Sequence, residues 1–366
     1  MTVVHVTAEL APMPGGVADY VAILGAELAR HGLAQRYLVT GTAGGGRPPP
    51  EAFAGRGDVV PLRSPSATQL MSALTELGPS TVLLHYSGYG FARRGAPVWL
   101  VRGLSAWKRR SPGARLVVMF HETWASSSVP WRSSFWLSAV QRACVRELAR
   151  LADAVVTNTS FHAHRLRPFL RPAAPLHVQP IFSNVGEPEE VPPFHEREPV
   201  CVVFGRGGHR WRIWQRFRPF FGALLRLGIE RLVEIGTEPE ATAKLSWPVP
   251  AERLGPLPAH EVSSQLLRSR FGLVQNHVSS LHKSGVFMAF AAHGLVPVSI
   301  VESGDVGLIN MREDKLICID RVENTDLDRV STLLFEWYED HKVSCQAERL
   351  WMPLLGYMAH RMGALT

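Results

Sequence analysis

"PMPGGVADYVAILGAELARHG", Pro12 to Gly32, follows the β-branched run "TVVHVTA" and decides the class of fold. Val17, Tyr20, Val21, Leu24 and Leu28 recur at helical spacing, so a helix with one apolar stripe is predicted to begin just after Gly15-Gly16. A valine-rich strand that passes through glycines into such a helix is the repeating unit of a parallel sheet covered on both faces. The two glycines let backbone N–H groups approach an anion closely, and they suit a tight strand-to-helix turn equally well.

The same unit recurs along the chain. "QRYLVT", "STVLLHYS", "ARLVVMFHE" and "DAVVTNTS" read as strands, with a helix around Val140 to Leu151. A polar, proline-rich stretch without periodicity follows, "GEPEEVPPFHEREP", Gly186 to Pro199, and the alternation then restarts. "VCVVFG", "RLVEIG", "FGLVQN" and "LVPVSIV" are the strands of the second half; its helices run to Arg226, over "AHEVSSQLLRS", after Lys283 and over "NTDLDRVSTLLFEWYEDH". With 366 residues the chain exceeds what one hydrophobic core usually serves. The expected organisation is a first Rossmann-like domain over 1–185, a linker over 186–199 and a second Rossmann-like domain over 200–345. A helical tail, 346–366, is expected to pack back toward the first domain. Both are doubly wound α/β domains, facing a central cleft, with ligands at the carboxyl ends of the strands.

Composition narrows the partners. The formal net charge of +7 favours nucleotides, phosphates or anionic lipid headgroups. In the basic stretch Arg206 to Arg218, Ile213 and Phe217, continued by Phe221 and Leu224, recur at helical spacing, which describes an amphipathic helix with a solvated basic face rather than a nucleic-acid arm. Four widely spaced cysteines lack metal-site spacing and suit a reducing, cytoplasmic compartment. No signal peptide is expected from the first residues. The longest apolar run, Gly285 to Val301, is broken by His293, Gly294 and Pro297, so no membrane span is expected. "TDLD", Thr325 to Asp328, has a metal-nucleotide spacing, but Thr325 and Asp328 fit a helix capping box. No metal and no cofactor is expected.

The motif order carries a family resemblance. "PMPGGVADYV…ELARHG", "FHETW" (Phe120 to Trp124), "VVTNTSFHAHRL" (Val155 to Leu166), "VVFGRGG", "LVEIG" and "AAHGLVPVSI" resemble, over nearly the whole chain, the GT-B glycosyltransferases of the retaining family-four group. The resemblance implies a diphosphate-facing loop at Gly15 and Gly16, a histidine near the transferred sugar at His121 and a phosphate-binding arginine at Arg206. A following lysine has no clean equivalent, and Arg210 or Arg212 could supply its charge. The departure lies in "SSLHKSGVFMAFAAHG", Ser279 to Gly294, where two glutamates are missing. His282 or Leu281 stands in place of the first, Ala289 or Phe290 in place of the second. Lys283, Ser284 and Gly285 at the helix start still form a good anion site, combining charge, a donor and the helix dipole. Ser284 as a mere cap is the plain alternative.

These residues point to a metal-independent glycosyltransferase, with a nucleotide-diphospho-sugar as co-substrate and diphosphate held by Arg206, Lys283 and glycine-rich helix N-termini. His121 and His282 are the candidate catalytic residues. Acceptor contacts are expected at Asp19, Tyr89, Glu122 and Trp124, in aromatic loops that include Trp124 to Trp136. The acceptor class is a small molecule, a glycan or a lipid-linked molecule, with no nucleic acid and with peripheral contact to an anionic membrane kept open. The alternative is a catalytically silent homologue that binds a sugar nucleotide or serves as a partner subunit.

Overall fold

The computed structural model describes residues 1–13, 15–41, 53, 57–62, 64–78, 80–125, 133–300, 306–312, 315–319 and 325–355. The chain divides into two compact units, one formed by Met1–Pro180 together with the chain from Val343, the other by Ile181–Lys342. The boundaries thus fall after Pro180 and Lys342 rather than after 185 and 345.

The first unit is built on β1 (Thr2–Thr7), β2 (Ala34–Val39), β3 (Val59–Pro61), β4 (Thr81–Tyr86), β5 (Arg115–Phe120), β6 (Ala154–Thr157) and β7 (Leu176–Val178), in the spatial order β3-β2-β1-β4-β5-β6-β7. All neighbours pair in parallel. Its helices are α1 (Gly16–Arg30), α2 (Ala67–Glu76), α3 (Gly88–Phe91), α4 (Val98–Arg110), α5 (Ser133–Leu151) and α6 (Ser160–Leu166). In α1 the stripe Tyr20, Val21, Leu24 and Leu28 is buried. The three-residue edge strands β3 and β7 are too short to show a period, and sequence reading passes over them.

The second unit contains β8 (Glu198–Phe204), α7 (Gly207–Phe217), α8 (Phe221–Arg226), β9 (Arg231–Ile235), β10 (Ala251–Gly255), α9 (Ala259–Arg268), β11 (Ser269–Leu273), α10 (Gly285–Ala292), β12 (Val296–Ile300), β13 (Val306–Arg312), β14 (Lys315–Ile319) and α11 (Leu327–Glu339). Its sheet runs β10-β9-β8-β11-β12-β13-β14, parallel as far as β12 and closed at one edge by two antiparallel strands. The expected helix to Arg226 is broken at Arg218–Phe220, where Pro219 supplies no N–H for the ladder. Phe287 through Ala292 are all buried, so α10 is apolar all round because it lies inside the unit.

The stretch 186–199 is an anchored part of the second unit rather than a linker. Tyr338 Oη donates to Glu187 Oε1 at 2.6 Å, Phe194 is buried, and buried Arg197 donates to the carbonyls of Pro192, His293 and Gly294. Asp326, not Thr325, caps α11 by accepting from Arg329 N–H, while Asp328 accepts from Phe194 N–H at 3.0 Å. The C-terminal helix α12 (Val343–Leu355) joins the first unit: Tyr20 Oη donates to Gln346 Oε1 and Thr81 Oγ1 to Leu354 O. Among the described residues no helix is long and apolar enough to cross a membrane.

Candidate active site

In the second unit, parallel pairing brings the loops after β8, β9 and β11 to one edge of the sheet. The first is Gly205-Arg206-Gly207, which leads directly into α7 with Arg206 exposed at the N-cap position. Gly236 after β9 has φ +135, and a side chain there would meet Gly205 O at 1.9 Å, so only glycine lets the two turns cross. Gln275, after β11, donates through Nε2 to His209 Nδ1 at 2.7 Å, and its carbonyl accepts from Arg216 at 2.7 Å. The start of α7 and the loop leading to Lys283 are therefore fastened together. His209 is held neutral: burial, then the nearby Arg212 and Arg210, lower its pKa to about 4.

Arg210 does not belong to this anion site. Its side chain is 2% exposed; it donates to the carbonyls of Gly205, Ile235 and Glu238 and lies 3.5 Å from buried Glu234. A guanidinium buried among three carbonyls and a carboxylate braces the glycine turn and is turned away from solvent.

The Ser279–Gly294 stretch resolves into a 3-10 helix, Val278–Lys283, followed by α10. Ser284 Oγ accepts from Phe287 N–H at 3.3 Å, the capping role, which still leaves its hydroxyl proton to donate. Lys283 is exposed, and Gly285 opens the helix. His282 stacks on Trp337, which stacks in turn on His341 at 4.2 Å; burial and then His341 lower the pKa of His282. Ala289 and Phe290, where the second glutamate is missing, are buried in the core. A carboxylate at either position would be cut off from water.

In the first unit the loops after β1, β4 and β5 share one edge. Gly15 carries a surprise: the Glu9 carboxylate occupies the space its side chain would take, with Oε1 2.2 Å from an added Cβ. Asp19 stands in the same first turn of α1, so two acids already complement the helix N-terminus. A diphosphate at Gly15 would meet their repulsion, which corrects the expectation for this glycine; Gly16 has open space around it. His121 is buried at the end of β5, its N–H donating to Tyr86 O and its ring edge-on to Tyr20 at 5.0 Å. Glu122 is exposed and accepts from Ser87 Oγ at 3.2 Å; Tyr89 is 48% exposed and its Oη accepts from Gln141. Trp124 differs: Arg165 lies 4.6 Å and Arg142 5.6 Å from its ring, which packs on Phe169 against the core. Its ring is half-buried. Residues 126–132 of the second aromatic loop lie outside the described part. Among the described residues, no three His, Cys, Asp or Glu side chains are grouped as metal ligands.

Sequence reading missed Glu9, His209 and Gln275. His209 lies inside the basic stretch and Gln275 at the end of a strand run, and each gains its place only from the meeting of two loops.

Residues 15–181 match the glycosyl transferase 4-like domain family. Over the whole chain the structure is similar to an alpha-glucosyltransferase (AGT) in complex with UDP, with a TM-score of 0.59 at 14% identity, covering 96% of this chain and 99% of that one. An alpha-glucosyltransferase in complex with UDP-glucose and DNA containing an abasic site gives 0.57 at 13% identity, with 96% and 98% covered. T4 phage BGT in complex with UDP-glucose gives 0.50 at 10% identity, with 97% and 100% covered. No protein of curated function matches the chain by sequence. The two sheets and their connections are the GT-B fold. The stretch that matches the glycosyl transferase 4-like domain covers most of the first unit.

Proposed function

We propose that the protein is a glycosyltransferase that takes a uridine-diphospho-sugar in its second unit and transfers the sugar, without a metal ion, to a small-molecule, glycan or lipid-linked acceptor. The observation that carries this reading is the fastening of α7 to the β11 loop through His209 and Gln275. It holds two exposed cations, Arg206 and Lys283, each at a helix N-terminus, on neighbouring loops of one sheet edge. Oriented N–H groups and side-chain cations stabilise the negative charge that grows on the departing diphosphate, a task a metal ion performs elsewhere. The choice of uridine follows the UDP and UDP-glucose bound by the similar structures. The DNA in one of them belongs to that protein. Here Phe217 of the basic helix is core and Trp214 donates to Ser246 O, which suits a solvated face better than a base-stacking platform.

Calorimetric titration with UDP, GDP and ADP in excess chelator tests the reading. UDP should bind most tightly, and Lys283→Ala or Arg206→Ala should each cost roughly 1.5–3 kcal/mol of that affinity. Transfer that disappears in chelator and returns with manganese would overturn the metal-free mechanism. UDP binding with no turnover against any acceptor would instead make the protein a silent sugar-nucleotide binder.

A further inference from the structure

Three histidines on neighbouring strands of the first unit form a ladder across the sheet: His5 on β1, His85 on β4 and His121 at the end of β5. His5 Nδ1 lies 2.9 Å from His85 Nε2, and His85 Nδ1 lies 3.4 Å from His121 Nε2. The rings are near-parallel and meet edge to edge, with centroids 5.2 and 5.7 Å apart. At the far end, His5 Nε2 lies 2.7 Å from Gln35 Oε1 on β2.

Gln35 fixes the direction of every proton in this ladder. Its amide nitrogen donates to Leu33 O at 2.7 Å, which turns Oε1 toward His5. His5 must then carry its proton on Nε2, leaving Nδ1 to accept. His85 must donate from Nε2 and accept on Nδ1; His121 must do the same. The opposite order would press the His5 Nε2 lone pair against Gln35 Oε1, or a flipped amide oxygen against Leu33 O. Among the described residues no protein donor reaches His121 Nδ1. We propose that Gln35 sets the tautomer of His121 through His5 and His85, so that His121 offers an unprotonated Nδ1 as acceptor for a hydroxyl of the sugar or of the acceptor molecule.

The use made of Nδ1 rests on the proposed function; the proton order does not. Burial supports it by keeping the rings uncharged: the pKa of His5 and of His121 falls to about 4, and that of His85 lies well below the ordinary value, through burial first and then its two neighbours. The other titratable groups packed on the ladder are Tyr20 of α1, edge-on to His85 and His121, and Tyr37 of β2, stacked on His5. Gln35, His5 and His85 are thus positioning residues for His121.

The test is a pair of substitutions of similar size at a half-buried position two rings away from the reporter. Gln35→Glu gives up the bond to Leu33 O, so its second oxygen must swing toward solvent, but it keeps an acceptor for His5 and should preserve the order; Gln35→Lys supplies a donor and should reverse it, moving the His121 proton to Nδ1. Nitrogen-15 NMR of labelled histidines, read without substrate at pH 8, should show His121 Nδ1 as pyridine-type in the wild type and Gln35→Glu and as pyrrole-type in Gln35→Lys. Transfer by Gln35→Lys should fall roughly tenfold or more, the loss of one well-placed hydrogen bond, with UDP affinity unchanged. His85→Phe keeps a ring in the row but removes the acceptor of His121 Nε2–H. It should shift His121 toward Nδ1–H, and it serves if Gln35→Lys fails to fold. A His121 signal indifferent to both Gln35→Lys and His85→Phe would overturn the ladder. Reversed protonation with undiminished transfer would overturn the use of Nδ1, while absence of wild-type transfer with any donor would count against the proposed function and leave the NMR result to decide the ladder.

Discussion

Replacing Arg210 by alanine distinguishes a structural arginine from a phosphate ligand. The substitution leaves Glu234, 2% exposed, without its nearest guanidinium, and strips donors from the carbonyls of Gly205, Ile235 and Glu238. Removing one member of a buried pair costs about 3–5 kcal/mol. Here Trp247 Nε1 still donates to Glu234 at 2.7 Å and the half-buried Arg253 stays 3.6 Å away, so the low end of that range applies. For a unit of this size each kcal/mol moves the melting temperature by about 2–4 °C, giving a fall of roughly 6–12 °C. Calorimetric unfolding reads that shift, and titration of the folded protein at low temperature reads UDP affinity. Arg206→Ala should show the reverse pattern, with affinity lost and stability within about 0.5 kcal/mol of the wild type. The double variant Arg210→Met/Glu234→Met should recover much of the stability, because the uncompensated carboxylate goes with its partner. An Arg210→Ala protein with unchanged melting and a tenfold loss of UDP affinity would refute this account and return the residue to the phosphate.

Two further outcomes follow from the buried histidines. His5, His121, His209 and His293 have folded pKa values lowered to about 4 by burial, so the unfolded chain binds more protons between there and about 6.5. Their contribution is complete above that range and is lost as pH falls through it; urea midpoints should drop steadily from pH 7 to pH 5, and a flat profile would contradict the burial. His282→Ala should spare UDP affinity and lower turnover of the sugar donor. Since burial and His341 depress the pKa of His282, the ring acts as a neutral group at pH 7, and the turnover ratio of variant to wild type should stay constant between pH 7 and 8. A change in that ratio would show that the ring titrates there.

The stripe of α1 and the uninterrupted valine runs were enough to read a parallel α/β architecture, since burial on both faces leaves strands no polar alternation. Short edge strands and the antiparallel pair β13–β14 escaped, because three- to seven-residue segments with mixed exposure carry no period long enough to recognise. The glycine-and-cation pattern at helix starts was enough to pick out Arg206, Lys283, Ser284 and Gly285 as candidates. Arg210 was misread because charge in a basic stretch says nothing about which side chain turns inward.

By itself, then, the amino-acid order determined the repeated strand-to-helix unit, two such halves, and the loss of both carboxylates at the start of α10, because local periodicity and residue type are written along the chain. Only the tertiary structure decided that Glu9 sits over Gly15, that Gln275 fastens His209, and that His5, His85 and His121 stand within hydrogen-bond reach of one another. Those pairs are separated by 80 and 36 residues in the histidine ladder, and hydrogen bonds at such separations exist only once neighbouring strands are in register.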